Sequence, residues 1–201
     1  MLDNLLIEEV LFEYKLIKED NRPRRLRGLF QKSNAKNANG RVYSNDILKR
    51  EIDKLIPAVK ERKLVGQLDH PQSATIEFSK ASHLISNIVF SEETGEAIGE
   101  LELLGTPCGK IAEALIDANV KVGISSRGLG TVRKEDEYLV VNDDFQLITF
   151  DLVAEPSTPG AYPTPISESI LKRILAKDIR KPSDLRNAVY EFADAYLTHK
   201  L

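Results

Sequence analysis

The chain is poor in the residues that build most compact catalytic and metal sites. It has one cysteine, Cys108, and three histidines, His70, His83 and His199, in 201 residues. A lone cysteine excludes an internal disulfide and fits a reducing compartment. One cysteine and three scattered histidines also lack the ligand spacing of a zinc site, so no metal and no other cofactor is expected. No apolar run approaches the roughly 20 residues that span a bilayer. The opening Met1-Leu2-Asp3-Asn4 lacks the positive region and apolar core of a secretory signal. The formal net charge of −3 carries no basic block, so neither nucleic acid nor an anionic membrane is expected as a partner. Internal repeats and low-complexity tracts are absent.

What is present is an ordinary globular composition, 42% hydrophobic and 29% charged, in a chain long enough for one domain and an appendage. Two stretches stand out. Gly123-Ile124-Ser125-Ser126-Arg127-Gly128 closes an apolar run, Val120 to Ile124, that reads as a buried strand opening into a glycine-flanked turn. A serine hydroxyl needs a neighbouring base to act as a nucleophile. The other stretch, Gly66-Gln67-Leu68-Asp69-His70-Pro71, supplies one, because Pro71 restricts His70 to an extended backbone and holds its ring in a defined direction. Together they predict a serine protease site. Successive strand residues face opposite ways, so only one of Ser125 and Ser126 can meet His70.

The rest of the chain reads mostly as scaffold. Leu5 to Ile17 is a strand or short helix, and Arg25 to Gln31 a strand. Ser44 caps a helix whose apolar stripe is Ile47, Leu48, Ile52, Leu55, Ile56 and Val59, kinked or ended at Pro57. Lys80 to Ser91 and Glu96 to Leu104 form a hairpin over Glu92 to Gly95. Thr106 and Pro107 start a second helix, with Cys108 as a small buried filler. His83, inside the hairpin, reads as a solvent-facing or satisfied core residue. Leu129 to Val132, Glu137 to Val141 and Phe145 to Glu155 make three more strands. Asp151 lies in the last, within an apolar run where a carboxylate must be paired, as a partner for histidine or in a structural salt bridge. Glu155 to Pro165 is a proline-rich exit, and residues 166–201 read as an amphipathic helical tail.

The His70 stretch, Gly123-Ile124-Ser125-Ser126-Arg127-Gly128-Leu129-Gly130 and Phe150-Asp151-Leu152-Val153-Ala154-Glu155-Pro156-Ser157-Thr158-Pro159 occur in that order. With Asn39-Gly40-Arg41-Val42-Tyr43 ahead of a helix, this resembles the prohead (capsid maturation) proteases of tailed bacteriophages, which share a fold with the herpesvirus assembly proteases. The resemblance covers roughly residues 25 to 165. It departs at Gln67, where the family pattern carries an acid.

The resemblance implies an α+β fold with a mainly antiparallel, barrel-like core (residues 1–165) flanked by helices, followed by the tail 166–201. It implies Ser125 as nucleophile, with Ser126 as fallback, and His70 as general base. Herpesvirus relatives take their third member from a histidine after the serine. None follows here before His199, so that role falls to Asp151, with Asp69 as rival. The oxyanion would meet backbone N–H groups at Ser126, Arg127 and Gly128, helped by the Arg127 side chain, whose other reading is a surface salt bridge. Implied substrates are scaffold or core proteins and the major capsid protein, cut after a glutamate with an apolar residue two places earlier. The setting is the immature prohead in the host cytoplasm, with a homo-oligomer as a further possible partner. Ile17-Lys18-Glu19 and Ile166-Ser167-Glu168 match that pattern, making Glu19 and Glu168 self-cleavage candidates, with cleavage at Glu168 freeing the tail. Competing readings are a non-catalytic capsid, scaffold or tail-tube-like protein, and an esterase, whose Gly-x-Ser-x-Gly elbow is absent.

Overall fold

Among the described residues, both helices form where the sequence supplies their ends. In α1 (Asn45–Lys60) the Ser44 hydroxyl accepts the Ile47 N–H at 3.3 Å, and in α2 (Pro107–Asp117) Thr106 does the same for Gly109 at 3.2 Å. Both close on a left-handed residue, Arg62 (φ 56) and Asn119 (φ 58), where two crossed N–H bonds satisfy the last carbonyls. Pro57 sits within α1 and does not end it; the helix runs on to Lys60. The computed structural model describes residues 5–7, 24–71, 73–155, 158–159, 161 and 163–165, all in one compact unit ending at Pro165. The expected tail, Glu19, Glu168 and His199 lie outside the described residues.

The described strands form three sheets. One is ordered β1 (Leu5–Ile7), β7 (Gly123–Leu129), β10 (Gln146–Val153). A five-stranded sheet runs β11 (Thr164–Pro165), β2 (Arg25–Lys32), β6 (Glu96–Leu103), β5 (Ala81–Ser91), β4 (Val65–Gln67). The third is β3 (Arg41–Val42), β9 (Tyr138–Val141), β8 (Val132–Glu135). The fold is therefore mixed α+β and mostly antiparallel, but among the described residues the strands do not close into the expected barrel. Instead β4 reaches β10 through one parallel bridge, Leu68 to Leu152, reinforced by the Asp69 N–H donating to the Leu152 carbonyl at 2.8 Å.

The core lies between α1, α2 and the sheets. Ile47, Leu48, Ile52, Leu55 and Val59 bury the α1 stripe, each contributing about 1.5–3 kcal/mol of gross burial energy. Phe30 and Phe150 tie the five-stranded sheet to the β7–β10 pair, their ring centres 5.1 Å apart. Glu51 is a buried carboxylate on α1 whose burial alone would raise its pKa. Lys54, Arg50 and the Leu147 N–H overcome that and hold it ionised, pinning α1 beside the register shift between Leu147 and Thr149.

Candidate active site

The serine stretch is strand rather than turn. Val120 belongs to the α2 terminus, its N–H bonded to the Leu115 carbonyl, and β7 begins only at Gly123 and runs through both serines. The alternation expected of a strand then separates them. Ser125, Arg127, Thr149 and Asp151 share one face of the β7–β10 pair, whereas Ile124, Ser126, Phe150 and Leu152 share the other. That second face meets the apolar core, and the Ser126 hydroxyl is buried there without a hydrogen-bond partner.

His70 arrives over the first face from β4. Asp69 turns the chain in a left-handed conformation (φ 61) with its N–H held by Leu152, and Pro71 keeps the next residue extended. The imidazole then lies between the serine and the acid. Its Nδ1–H donates to Asp151 Oδ2 at 3.0 Å, and the Ser125 hydroxyl donates to its Nε2 at 2.5 Å. Asp151 is the direct cross-strand partner of Ser125 on β10, so strand register fixes the spacing of acid and nucleophile. The rival Asp69 is exposed, and the imidazole pairs with Asp151.

Asp151 is fully buried and needs more than the histidine to stay charged. Its Oδ1 accepts the Gln67 backbone N–H at 2.9 Å and Arg127 Nη2 at 3.2 Å. Arg127 Nε also approaches Oδ2 at 2.8 Å, out of line for a hydrogen bond and therefore an ion-pair contact. The rest of the guanidinium bonds the carbonyls of Ser73 and Thr75, at 2.7 and 3.3 Å, and Gln67 Oε1 at 2.8 Å. Arg127 is thus not a surface salt bridge, and its side-chain partners are Asp151, Gln67 and the Ser73 and Thr75 carbonyls rather than the Ser125 hydroxyl. It is completely buried, faces Asp151, and clamps the loop that follows His70. Gln67, noted in the sequence only as a departure from a pattern, supplies a backbone donor to the acid and a side-chain acceptor to the arginine. Its neutral amide leaves Arg127 and Asp151 as a balanced pair of charges.

His83 has a different role. Buried on β5, its Nε2–H donates to the Phe150 carbonyl at 3.0 Å and its Nδ1 accepts from Ser82, 2.9 Å away. Burial pushes its pKa down to about 4, against the raising effects of Asp151 and the Phe150 carbonyl. It is the satisfied core histidine, packed so closely on Gly66 that a Cβ there would lie 2.2 Å from Nε2.

The prohead core protein serine protease family model matches residues 10–171. The chain belongs to that family. Among solved structures it resembles that of the bacteriophage T4 capsid assembly protease, gp21, with a TM-score of 0.68 and 26% identity. The match covers 76% of this chain and 98% of that one. No curated protein matches significantly in sequence. Family and neighbour together make the chain a serine-type protease of phage capsid assembly. A line of serine, imidazole and buried carboxylate is one arrangement able to perform such chemistry.

Proposed function

We propose that the protein is the endopeptidase of an immature phage head, with Ser125 as nucleophile, His70 as general base and Asp151 as the group that orients and stabilises the imidazolium. The observation that carries this is the continuous line from Asp151 Oδ2 through the His70 ring to the Ser125 hydroxyl. Ser125 Oγ attacks the scissile carbonyl as Nε2 takes its proton, and the same nitrogen then protonates the departing amine. Such proton transfer accounts for about 10² to 10⁴ in rate. Ser126, on the core face, is not in reach.

Backbone N–H groups at Ser126 to Gly128 remain the proposed oxyanion donors, with the Arg127 side chain removed from that role. N–H groups alternate between the two edges of a strand, so part of this stretch points away from β10. Substrates are scaffold, core and major capsid proteins enclosed with the protease, cut after glutamate. Glu19 and Glu168 are the sites of its own cleavage, the latter separating residues 1–168, which carry the core, from 169–201. Three readouts test this: a fluorogenic peptide with Ile-x-Glu before the scissile bond, a simple ester, and intact masses of wild type and Ser125→Ala. Hydrolysis of the peptide, with shortened wild-type chains and a full-length variant, supports the reading. Turnover of the ester alone, or identical full-length masses, overturns it.

A non-catalytic capsid role is disfavoured by the same geometry. A shell component has no use for a buried carboxylate aligned through an imidazole on a serine.

A further inference from the structure

The base reaches Ser125 from one side only. Asp151 is on β10, and His70 is carried by the segment bridged to β10 at Leu152, so both stand on the β10 side of the nucleophile strand. A scissile carbonyl must therefore approach from the other edge of β7. That edge already holds a strand. β1 pairs antiparallel with β7, Leu5 opposite Leu129, Leu6 opposite Gly128 and Ile7 opposite Arg127, ending two residues from Ser125. Among the described residues, no strand pairs with Gly123 to Ser126 on that side. Ser125 itself is 0% exposed, so no carbonyl reaches its hydroxyl until something moves.

We propose that the outer edge of β7 is where an extended peptide substrate adds as a strand, and that β1 is the chain's own occupant of that edge and competes with it. The inference rests on the assignment of Ser125 as nucleophile. Strand addition satisfies a peptide's backbone while leaving alternate side chains to be read, which suits a protease that cuts several different proteins. β1 pairs across Arg127 and Gly128, one of which directs its N–H to that edge, so the departure of β1 frees the edge and that proposed donor together. The device is intramolecular: the chain meets its own strand at high effective concentration until a substrate displaces it.

Two variants test this: a chain lacking residues 1–7, and full-length Leu6→Pro/Ile7→Pro. Of two adjacent strand residues one directs its N–H toward β7, and proline removes it. For an edge occupied about 80–90% of the time, KM for the Ile-x-Glu peptide falls about five- to tenfold with kcat unchanged. Phosphonylation of Ser125 by a small fluorophosphonate speeds up in parallel, and a free peptide of residues 1–7 competes with substrate on the truncated chain. Unchanged or raised KM in folded, active variants overturns the proposal, as does loss of the cooperative thermal transition in both, which would make β1 a structural strand. Absence of turnover and of Ser125 labelling in wild type and variants alike overturns the protease assignment instead.

Discussion

His83 offers a test of the packing behind the site that does not depend on catalysis. Its ring is fully buried, donates to the Phe150 carbonyl next to Asp151, and has a pKa of about 4 where an exposed histidine has 6.5. Between those values the unfolded chain binds a proton that the folded chain refuses. Stability therefore rises with pH through this window, is fully present above about 6.5, and is lost as pH falls toward 4. At about 1.36 kcal/mol per unit the contribution is about 3 kcal/mol, a large part of the 5–15 kcal/mol of a typical domain. The perturbation is His83→Gln, whose amide donates to the same carbonyl without titrating. Urea unfolding of both proteins at several pH values between 4 and 7.5 isolates the effect, because carboxylate titration is common to both and cancels. The stability difference, wild type minus variant, should shrink by about 3 kcal/mol from pH 7 to pH 4. Parallel curves would refute the reasoning, since a ring that titrates equally in both states is not buried and satisfied as described.

Asp151→Asn keeps the shape but favours the wrong imidazole tautomer. A drop in kcat of about 10⁴ with little change in KM is expected for this geometry, measured on the Ile-x-Glu peptide. Arg127→Met leaves the buried Asp151 without its cation and should destabilise by about 3–5 kcal/mol in urea unfolding. Arg127→Lys restores the charge but not the fork that spans Asp151, Gln67 and the Ser73 and Thr75 carbonyls, and should leave kcat about 10² down through misplacement of His70. Ser126→Ala removes a buried hydroxyl with no partner, so full activity and a stability gain of about 1 kcal/mol are expected; lost activity would reopen the choice of nucleophile.

Much of this was legible in the residues because strand periodicity and cap chemistry are local. The Ser44 and Thr106 caps, the hairpin over Glu92 to Gly95 and the demand of Asp151 for a partner follow from neighbours in sequence. The proline that follows His70 likewise foretold how its ring would be held. What escaped depends on contacts across the chain. Arg127 reads as exposed or as an oxyanion donor until the register places it opposite Thr149, on the same face as Asp151. Gln67 shows its part only once β4 lies against β10. The serine turn was misplaced because Val120 opens an apolar run in sequence while serving, in space, to close α2. Barrel closure is a long-range property that strand patterns alone do not encode, and here the β7–β10 pair and the segment after β4 meet at the Leu68–Leu152 bridge beside the site instead.

The central claim is that the Ser125 oxygen is made nucleophilic by His70. Mass-spectrometric mapping of a fluorophosphonate adduct on wild type, His70→Ala and Ser126→Ala tests it most directly. The account predicts an adduct on Ser125 in wild type and Ser126→Ala, and labelling slower by at least about 10² in His70→Ala. An adduct on another residue, or equal rates with and without the imidazole, would contradict it.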